Sequence, residues 1–330
     1  DRLPDFLMES AETGVDAFII SDLGVMTLAK KYTPNVDIHI STQAGITNYA
    51  SANEWYNMGA TRVVTARELS MEDIATLRAK TPKELEIECF VHGAMCVSFS
   101  GRCLLSNYLV NRDSNRGECA QPCRWQYSLM EKTREGEYFP IDEDENGTYI
   151  FNSKDMCMIE HIPEMVKAGS SFKIEGRAKS AYYTSVITNA YRQAIDGYLR
   201  NPTDDYKPEK WVVDEMYKIS SREYCTGFYF GHPRENAQIY YDGGYKRDWS
   251  VMAEVLYSEN GRVFCRQRNR FFEGENLEVL QRGVEPYEVT VTDLRDESGE
   301  KIEKAPHPMM TVSFECEKDI PADALLRKAV

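Results

Sequence analysis

The stretch Leu85-Glu86-Ile87-Glu88-Cys89-Phe90-Val91-His92-Gly93 decides the fold. It is rich in strand-forming residues and closes on a histidine and a glycine, the pattern of a strand that delivers a polar side chain at its end. Upstream the design recurs in Val15-Asp16-Ala17-Phe18-Ile19-Ile20-Ser21-Asp22, in Asp37-Ile38-His39-Ile40-Ser41-Thr42-Gln43 and in Arg62-Val63-Val64-Thr65-Ala66-Arg67-Glu68. Downstream it returns in Ser171-Phe172-Lys173-Ile174-Glu175-Gly176-Arg177. Helices are predicted between these runs over Gly24–Lys31, Tyr49–Met58, Ser70–Ala79 and Asp155–Ala168, with glycine turns at Gly14 and Gly59 leading into two of the strands. Such alternation indicates a parallel sheet covered by helices. Asp22, Gln43, Arg67, Glu68, His92, Glu175 and Arg177 gather at the strand ends. A (β/α) barrel carries its catalytic face there, and a doubly wound sheet places such residues similarly.

Between Gly93 and Phe151 the alternation breaks, over a distance far longer than an ordinary loop. This insertion, residues 94–150, holds four cysteines, several arginines and an acidic tip at Asp142-Glu143-Asp144-Glu145-Asn146-Gly147. A long helix is predicted over Lys179–Leu199 and a shorter one over Trp211–Ser220. Beyond them, Val251–Tyr257, Val263–Gln267, Asn276–Leu280, Tyr287–Thr292 and Met310–Glu315 read as short strands separated by turn signals. The expected organisation is therefore a barrel-like catalytic domain over residues 1–205, a linker with a helical segment over 206–248, and a small antiparallel β-barrel over 249–330.

The formal net charge of −14 argues against nonspecific nucleic-acid binding, which draws its affinity from neutralising phosphates. A local basic patch remains compatible with that total. No apolar run approaches the roughly 20 residues of a membrane span, and no basic-then-apolar leader is present, so a cytoplasmic protein without a membrane partner is expected. Nine cysteines in such a chain read as metal-binding or redox-active before they read as disulfides.

Four of the cysteines cluster, as Cys96-Val97-Ser98-Phe99-Ser100-Gly101-Arg102-Cys103 and Cys119-Ala120-Gln121-Pro122-Cys123. Thiolates suit zinc or iron–sulfur clusters rather than magnesium or calcium. Structural zinc favours two tight pairs, and the six residues between Cys96 and Cys103 fit that poorly. Iron–sulfur clusters tolerate wider spacings. The bland alternative is four unrelated cysteines, some buried as small apolar residues. Cys157 competes with Cys123 for the fourth ligand position, while Cys89, Cys225, Cys265 and Cys316 read as packing residues.

The segment Glu88-Cys89-Phe90-Val91-His92-Gly93-Ala94-Met95-Cys96, its continuation Ser100-Gly101-Arg102-Cys103-Leu104-Leu105-Ser106, Asn111-Arg112-Asp113-Ser114-Asn115-Arg116-Gly117 and Lys173-Ile174-Glu175-Gly176-Arg177 together resemble the family historically called U32 peptidases. The likeness runs along nearly the whole chain and is greatest to the branch that hydroxylates the wobble uridine of tRNA. It implies a (β/α) barrel, a cysteine-bound 4Fe–4S cluster on Cys96, Cys103, Cys119 and Cys123, and prephenate as the oxygen donor. It also implies a barrel of about eight strands, of which about three are absent here, so that Asp1-Arg2-Leu3-Pro4 reads as the loop after a third strand. Relatives that act on ribosomal RNA or other substrates, and the collagenase-like protease label carried by many members, supply the alternatives.

On this reading His92, Glu175 and Arg177 are the catalytic candidates. Lys173 shares a strand face with Glu175 and Arg177, and the group suits a dicarboxylate such as prephenate. A structural salt bridge is the alternative. Arg102, Arg112, Arg116 and Arg124 are placed to contact RNA phosphate or substrate carboxylates, or simply to offset cluster charge. Gln43 and Asn48 are further candidates for a base or for prephenate. Tyr182, Tyr183 and Tyr191 stand at helical spacing and read as core. A protease would need a nucleophile with an adjacent base or an open zinc site, and neither His-Glu-x-x-His nor Gly-x-Ser-x-Gly occurs. Oligomeric state, homo- or hetero-, is not legible.

Overall fold

The computed structural model describes residues 2–96, 98–114, 117–125, 128–130, 138–140, 153–176, 179–231 and 245–330, with only the backbone described at 124, 128–130, 138–140 and 170. The expected acidic tip and the candidates Arg116 and Arg177 lie outside these residues, as does the side chain of Arg124. The chain divides into two compact units, residues 1–175 with 223–243 and residues 176–222 with 244–330. The boundary expected near residue 205 therefore moves: the long helix joins the C-terminal half, and a later segment returns to the first unit.

In the first unit, β1 (Ala17–Ile20), β2 (Asp37–Ile40), β3 (Arg62–Val64) and β4 (Glu86–Ala94) alternate with α1 (Leu3–Glu12), α2 (Leu23–Tyr32), α3 (Tyr49–Asn57) and α4 (Met71–Ala79). Asp22 caps α2 by accepting from the Val25 N–H at 2.9 Å, and Ser70 with Asp73 forms a reciprocal capping box on α4. The insertion contributes α5 (Leu105–Val110) and a hairpin of β5 (Ser128–Met130) with β6 (Tyr138–Pro140). Then follow β7 (Asp155–Cys157), α6 (Ile162–Lys167), β8 (Ser170–Ile174) and, after the excursion into the second unit, β9 (Tyr224–Cys225).

Strands β1, β2, β3, β4 and β8 lie side by side in that order, all parallel. The upper end of β4 also pairs antiparallel with β7, which pairs in parallel with β9. Two expectations are corrected here. The helix predicted from Asp155 begins only at Ile162, because Asp155–Cys157 is drawn into a strand by the exposed hydrogen-bonding edge of His92–Ala94. Leu3 and Pro4 open a helix rather than a loop, since proline in a first turn forgoes an N–H that would have no partner there. Among the described residues no barrel closes: β1 pairs only with β2, and Ile19 on it is 61% exposed. No described helix is long and apolar enough to cross a membrane.

In the second unit, α7 (Ala181–Arg200), capped by Ser180, and α8 (Lys210–Asp214) precede the β-rich tail. Tyr183 and Tyr191 of α7 are buried, as core residues should be. The strands are β10 (Trp249–Glu259), β11 (Arg262–Gln267), β12 (Phe271–Phe272), β13 (Asn276–Leu280), β14 (Tyr287–Thr290), β15 (Thr292–Asp296), β16 (Lys304–Ala305), β17 (Thr311–Glu315) and β18 (Leu325–Ala329). Seven form an antiparallel sheet in the order β14-β13-β18-β10-β11-β17-β15, and β12 pairs with β16. Val255, Cys265, Phe271, Val279, Phe314 and Leu326 lie in their apolar core.

A buried charge cluster explains why residues 176–222 belong to this unit. Arg327 on β18 is 0% exposed and donates to Glu278 Oε1 at 2.8 Å through Nε and to Glu215 Oε1 at 2.5 Å through Nη2. Its Nη1 reaches the Tyr182 hydroxyl at 3.1 Å, while Lys218 Nζ donates to Glu278 Oε2 at 2.7 Å. Three separate segments are thus held by one guanidinium. Breaking a buried pair from one side costs about 3–5 kcal/mol. Arg327→Ala is expected to lower the urea midpoint of the chain by that equivalent, and an unchanged midpoint would show the cluster to be energetically idle.

Candidate active site at the strand ends

The parallel strands carry polar side chains up one face toward their carboxyl ends. His39, Arg62 and Glu86 stand in register across β2, β3 and β4, and Phe90 pairs with Lys173 across β4 and β8. Buried Glu88 is satisfied from both sides, accepting from Arg62 Nη1 at 2.9 Å and Lys173 Nζ at 2.6 Å. Lys173, expected to bind substrate, is therefore held in the structural salt bridge that was its alternative. Burial, then the charge of Arg62, lowers the pKa of His39, so its imidazole is neutral at pH 7.

At the top of β4, His92 is 1% exposed, its ring centroid 5.3 Å from that of Tyr224. The His92 carbonyl accepts from the Glu175 N–H at 2.9 Å, joining two of the expected catalytic residues through backbone. Gly93 makes this join feasible: its φ is +123°, and a Cβ there would stand 2.6 Å from the Glu175 carbonyl oxygen. Cys157 lies directly opposite His92 in the β4–β7 register.

The loop from Cys96 to Cys103 is clamped onto the ends of β2 and β3. Glu68 accepts from the Ser100 N–H at 2.9 Å and from the Ser100 hydroxyl at 3.2 Å. Gly101 rests against the Gln43 backbone so closely that a Cβ would lie 2.4 Å from its carbonyl oxygen. Gln43 is thus at the site, at least through its main chain. Asn48 caps α3, its Oδ1 accepting from the Ser51 N–H at 2.9 Å.

One cation links these parts, and the expected site had left it out. Arg67, just past β3, lays its guanidinium 3.8 Å from the centroid of the Phe90 ring. Burial pushes its pKa down, against the opposing pull of Cys96, Glu175, Glu68 and Tyr229. Its signal in the sequence was its position at a strand end. Tyr229 completes the floor by donating its hydroxyl to the Phe90 carbonyl at 2.5 Å.

All nine cysteines are free thiols. Desolvation pushes the Cys96 thiol above its ordinary range; a hydrogen bond from Ser98 and the charge of Arg67 oppose the shift, and Cys103 and Cys119 add to it. Cys96 is therefore within electrostatic reach of two of the other three expected ligands. Cys123 lies in the short turn Pro122–Arg124, which packs on α5. Among the described residues no three His, Cys, Asp or Glu side chains are grouped to hold a single metal ion. Cluster ligands bind different irons, so their sulfurs stand farther apart than those around one ion, and a loose, soft, thiol-only set fits that kind of centre. Arg102 and Arg112 are exposed and have no ion pair among the described residues.

Comparison with known proteins matches residues 1–239 to the family described as Peptidase family U32 and residues 247–327 to the Peptidase family U32 C-terminal domain. The chain is 35% identical over 331 residues to tRNA hydroxylation protein P1 of Bacillus subtilis, covering 99% of this chain and 78% of that protein. It is 33% identical over 353 residues to tRNA hydroxylation protein P of Escherichia coli, covering 94% and 76%. A protein of Methanocaldococcus jannaschii named as an uncharacterized protease is 43% identical over 245 residues, covering 73% of this chain and 58% of that protein.

The Glu68 clamp yields a direct expectation. Hydrogen bonds to a charged group contribute about 1.5–3 kcal/mol. Glu68→Ala should therefore raise the rate at which Cys96 and Cys103 react with a soluble disulfide reagent by roughly 10- to 150-fold through local opening. Unaltered thiol kinetics would mean that other contacts hold the loop.

Proposed function

The chain belongs to peptidase family U32, and from that premise we propose that it is a cytoplasmic tRNA-modifying enzyme that hydroxylates the wobble uridine at its 5-position with prephenate as oxygen donor. The observation that carries this reading is the clamp of the Cys96–Cys103 loop, by Glu68 and by Gly101 on Gln43, onto the carboxyl ends of the parallel strands where Arg67 lies over Phe90. The names of the two tRNA hydroxylation relatives support tRNA as the substrate. The open sheet, with its polar strand ends, is read as part of a (β/α) barrel.

Cys96, Cys103 and Cys119, with Cys123 as the fourth ligand, would hold a 4Fe–4S cluster, which when bound supplies one-electron and Lewis-acid chemistry. The protein's own groups then have distinct tasks. Arg67, already desolvated, offers a planar donor fork to a carboxylate of prephenate. Glu175, within reach of the Arg67 charge, is the group to accept or return a proton at its carboxylate. Phe90 and Tyr229 beneath them exclude water, which strengthens each of these interactions.

A thiol hydrolase would draw on Cys157 opposite His92, but a histidine 1% exposed gives a peptide substrate no approach. Anaerobically purified protein is expected to be brown, and Cys96→Ala and Cys123→Ala should each lose iron. Full iron in either variant removes that residue from the ligand set. Nucleosides of tRNA from cells lacking the gene should lose wobble-uridine hydroxylation; a normal complement would refute the substrate.

A further inference from the structure

We propose that the exposed side chains of Phe99, Leu104, Tyr108, Leu109 and Trp125 form a stacking platform for unpaired RNA bases, with Arg102 and Arg112 as its phosphate contacts. The inference rests on the tRNA reading and adds to it the place where a single-stranded loop would be held. Tyr108 on α5 is 81% exposed, the most exposed of the chain's large hydrophobic side chains among the described residues. Leu104 and Leu109 flank it at 53% and 48%, and Phe99 and Trp125, from the two ends of the segment, are 45% and 44% exposed. Scattered apolar exposure needs no explanation, but three aromatic rings and two leucines within twenty-eight residues of one another do.

The backbone beneath this surface is braced. The hydroxyl of buried Ser106 accepts from the Ala120 N–H at 3.0 Å, tying α5 to the second cysteine pair. Asn111 ends α5 in a left-handed conformation, φ 53°, and the following Arg112 N–H returns to the Ser106 carbonyl at 3.3 Å. Ser114 donates to the Cys103 carbonyl at 2.7 Å, and the Glu118 N–H to the Asp113 carbonyl at 3.0 Å. A surface held in this way loses little entropy when it is covered.

Its chemistry selects the occupant. The chain carries 53 acidic against 39 basic residues, yet Arg102 and Arg112 are exposed and free of carboxylate partners among the described residues. Aromatic faces interleaved with unpaired arginines complement stacked bases on an anionic backbone. The platform also abuts Cys103, Cys119 and Cys123, so a base splayed from a loop held there would be near the reacting centre.

The test is binding of the full chain to a labelled, unmodified anticodon stem-loop and to an oligouridine, at several salt concentrations. Tyr108→Ala is expected to weaken both by roughly 5- to 150-fold, and Tyr108→Phe to restore most of the loss. Arg112→Gln should reduce the salt slope by about one without changing base preference. Iron content and thermal midpoint serve as fold controls, which substitutions at exposed side chains should leave unchanged. Equal binding by Tyr108→Ala and the native chain overturns the platform while leaving the tRNA reading intact. So does a change of oligomeric state in that variant with RNA affinity unaltered, which would make the surface a protein interface. RNA bound through Tyr108 in a protein whose loss leaves tRNA nucleosides unchanged supports the platform and rejects the hydroxylase.

Discussion

The structure of the first unit depends on the hydrogen bonding of β4 along both its edges. Nine residues long, it pairs with β3 over Glu86–Glu88, with β8 from Ile87 to His92 and with β7 over its last three residues. A strand so enclosed must satisfy every polar group that it carries inward, because an unpaired charge in such a place costs several kcal/mol. Glu88 is the test of that rule. Its carboxylate is reached by Arg62 from β3 and by Lys173 from β8, so the charge that burial would penalise becomes a tie across three neighbouring strands. Register follows, because a one-residue slip of either neighbour would turn its cation to the other face.

That register is what brings the chemistry together. With β3 set, Arg67 emerges over Phe90, and with β8 set, Glu175 meets the carbonyl of His92. Two glycines let main chain approach main chain where any Cβ would collide, Gly93 against Glu175 and Gly101 against Gln43. Glu68 then spends its charge on Ser100 rather than on solvent. The loop that bears Cys96 and Cys103 is therefore positioned by the sheet, not by its own content of regular structure. Such an arrangement puts thiols on a surface loop that is anchored to the sheet, which is how binding groups are commonly carried on a scaffold.

Strands β1 to β4 and β8 were legible because each is a short apolar run with a polar end, a local signal. What escaped the sequence was set by distant partners. Asp155-Met156-Cys157 has no strand signature of its own and is extended only because β4 outruns β3. The unit boundary was misplaced because residues 176–222 are recruited by Arg327, more than a hundred positions downstream, through a side-chain contact that leaves no periodic trace. Polar residues were harder still. Asp22 and Asn48 carry the residue types of a binding site and of a helix cap alike, and the helices claim them. Lys173 and Arg67 are both cations at strand ends; only the position of Glu88, which neutralises one and not the other, tells them apart.

For an acidic protein to act on a polyanion, as proposed for this one, its attraction would have to be confined to a small area. At physiological ionic strength charges farther apart than about 8 Å are largely screened, so the net −14 does not act as a single field on a bound loop. What a bound phosphate would feel is its immediate surroundings. On the segment from Ser98 to Trp125 those include two unpaired guanidinium groups, whereas over much of the rest the cations are answered by carboxylates, as in Arg62 with Glu86, Arg192 with Asp196 and Arg268 with Glu254. An arrangement of this kind discourages the chain from coating nucleic acid at random, since most encounters meet neutralised or negative surface. On the proposed platform, affinity would then have to come from contacts that only an unpaired, stackable base provides, and specificity would arise from the same shortage of charge that makes the protein look, by composition, unsuited to RNA.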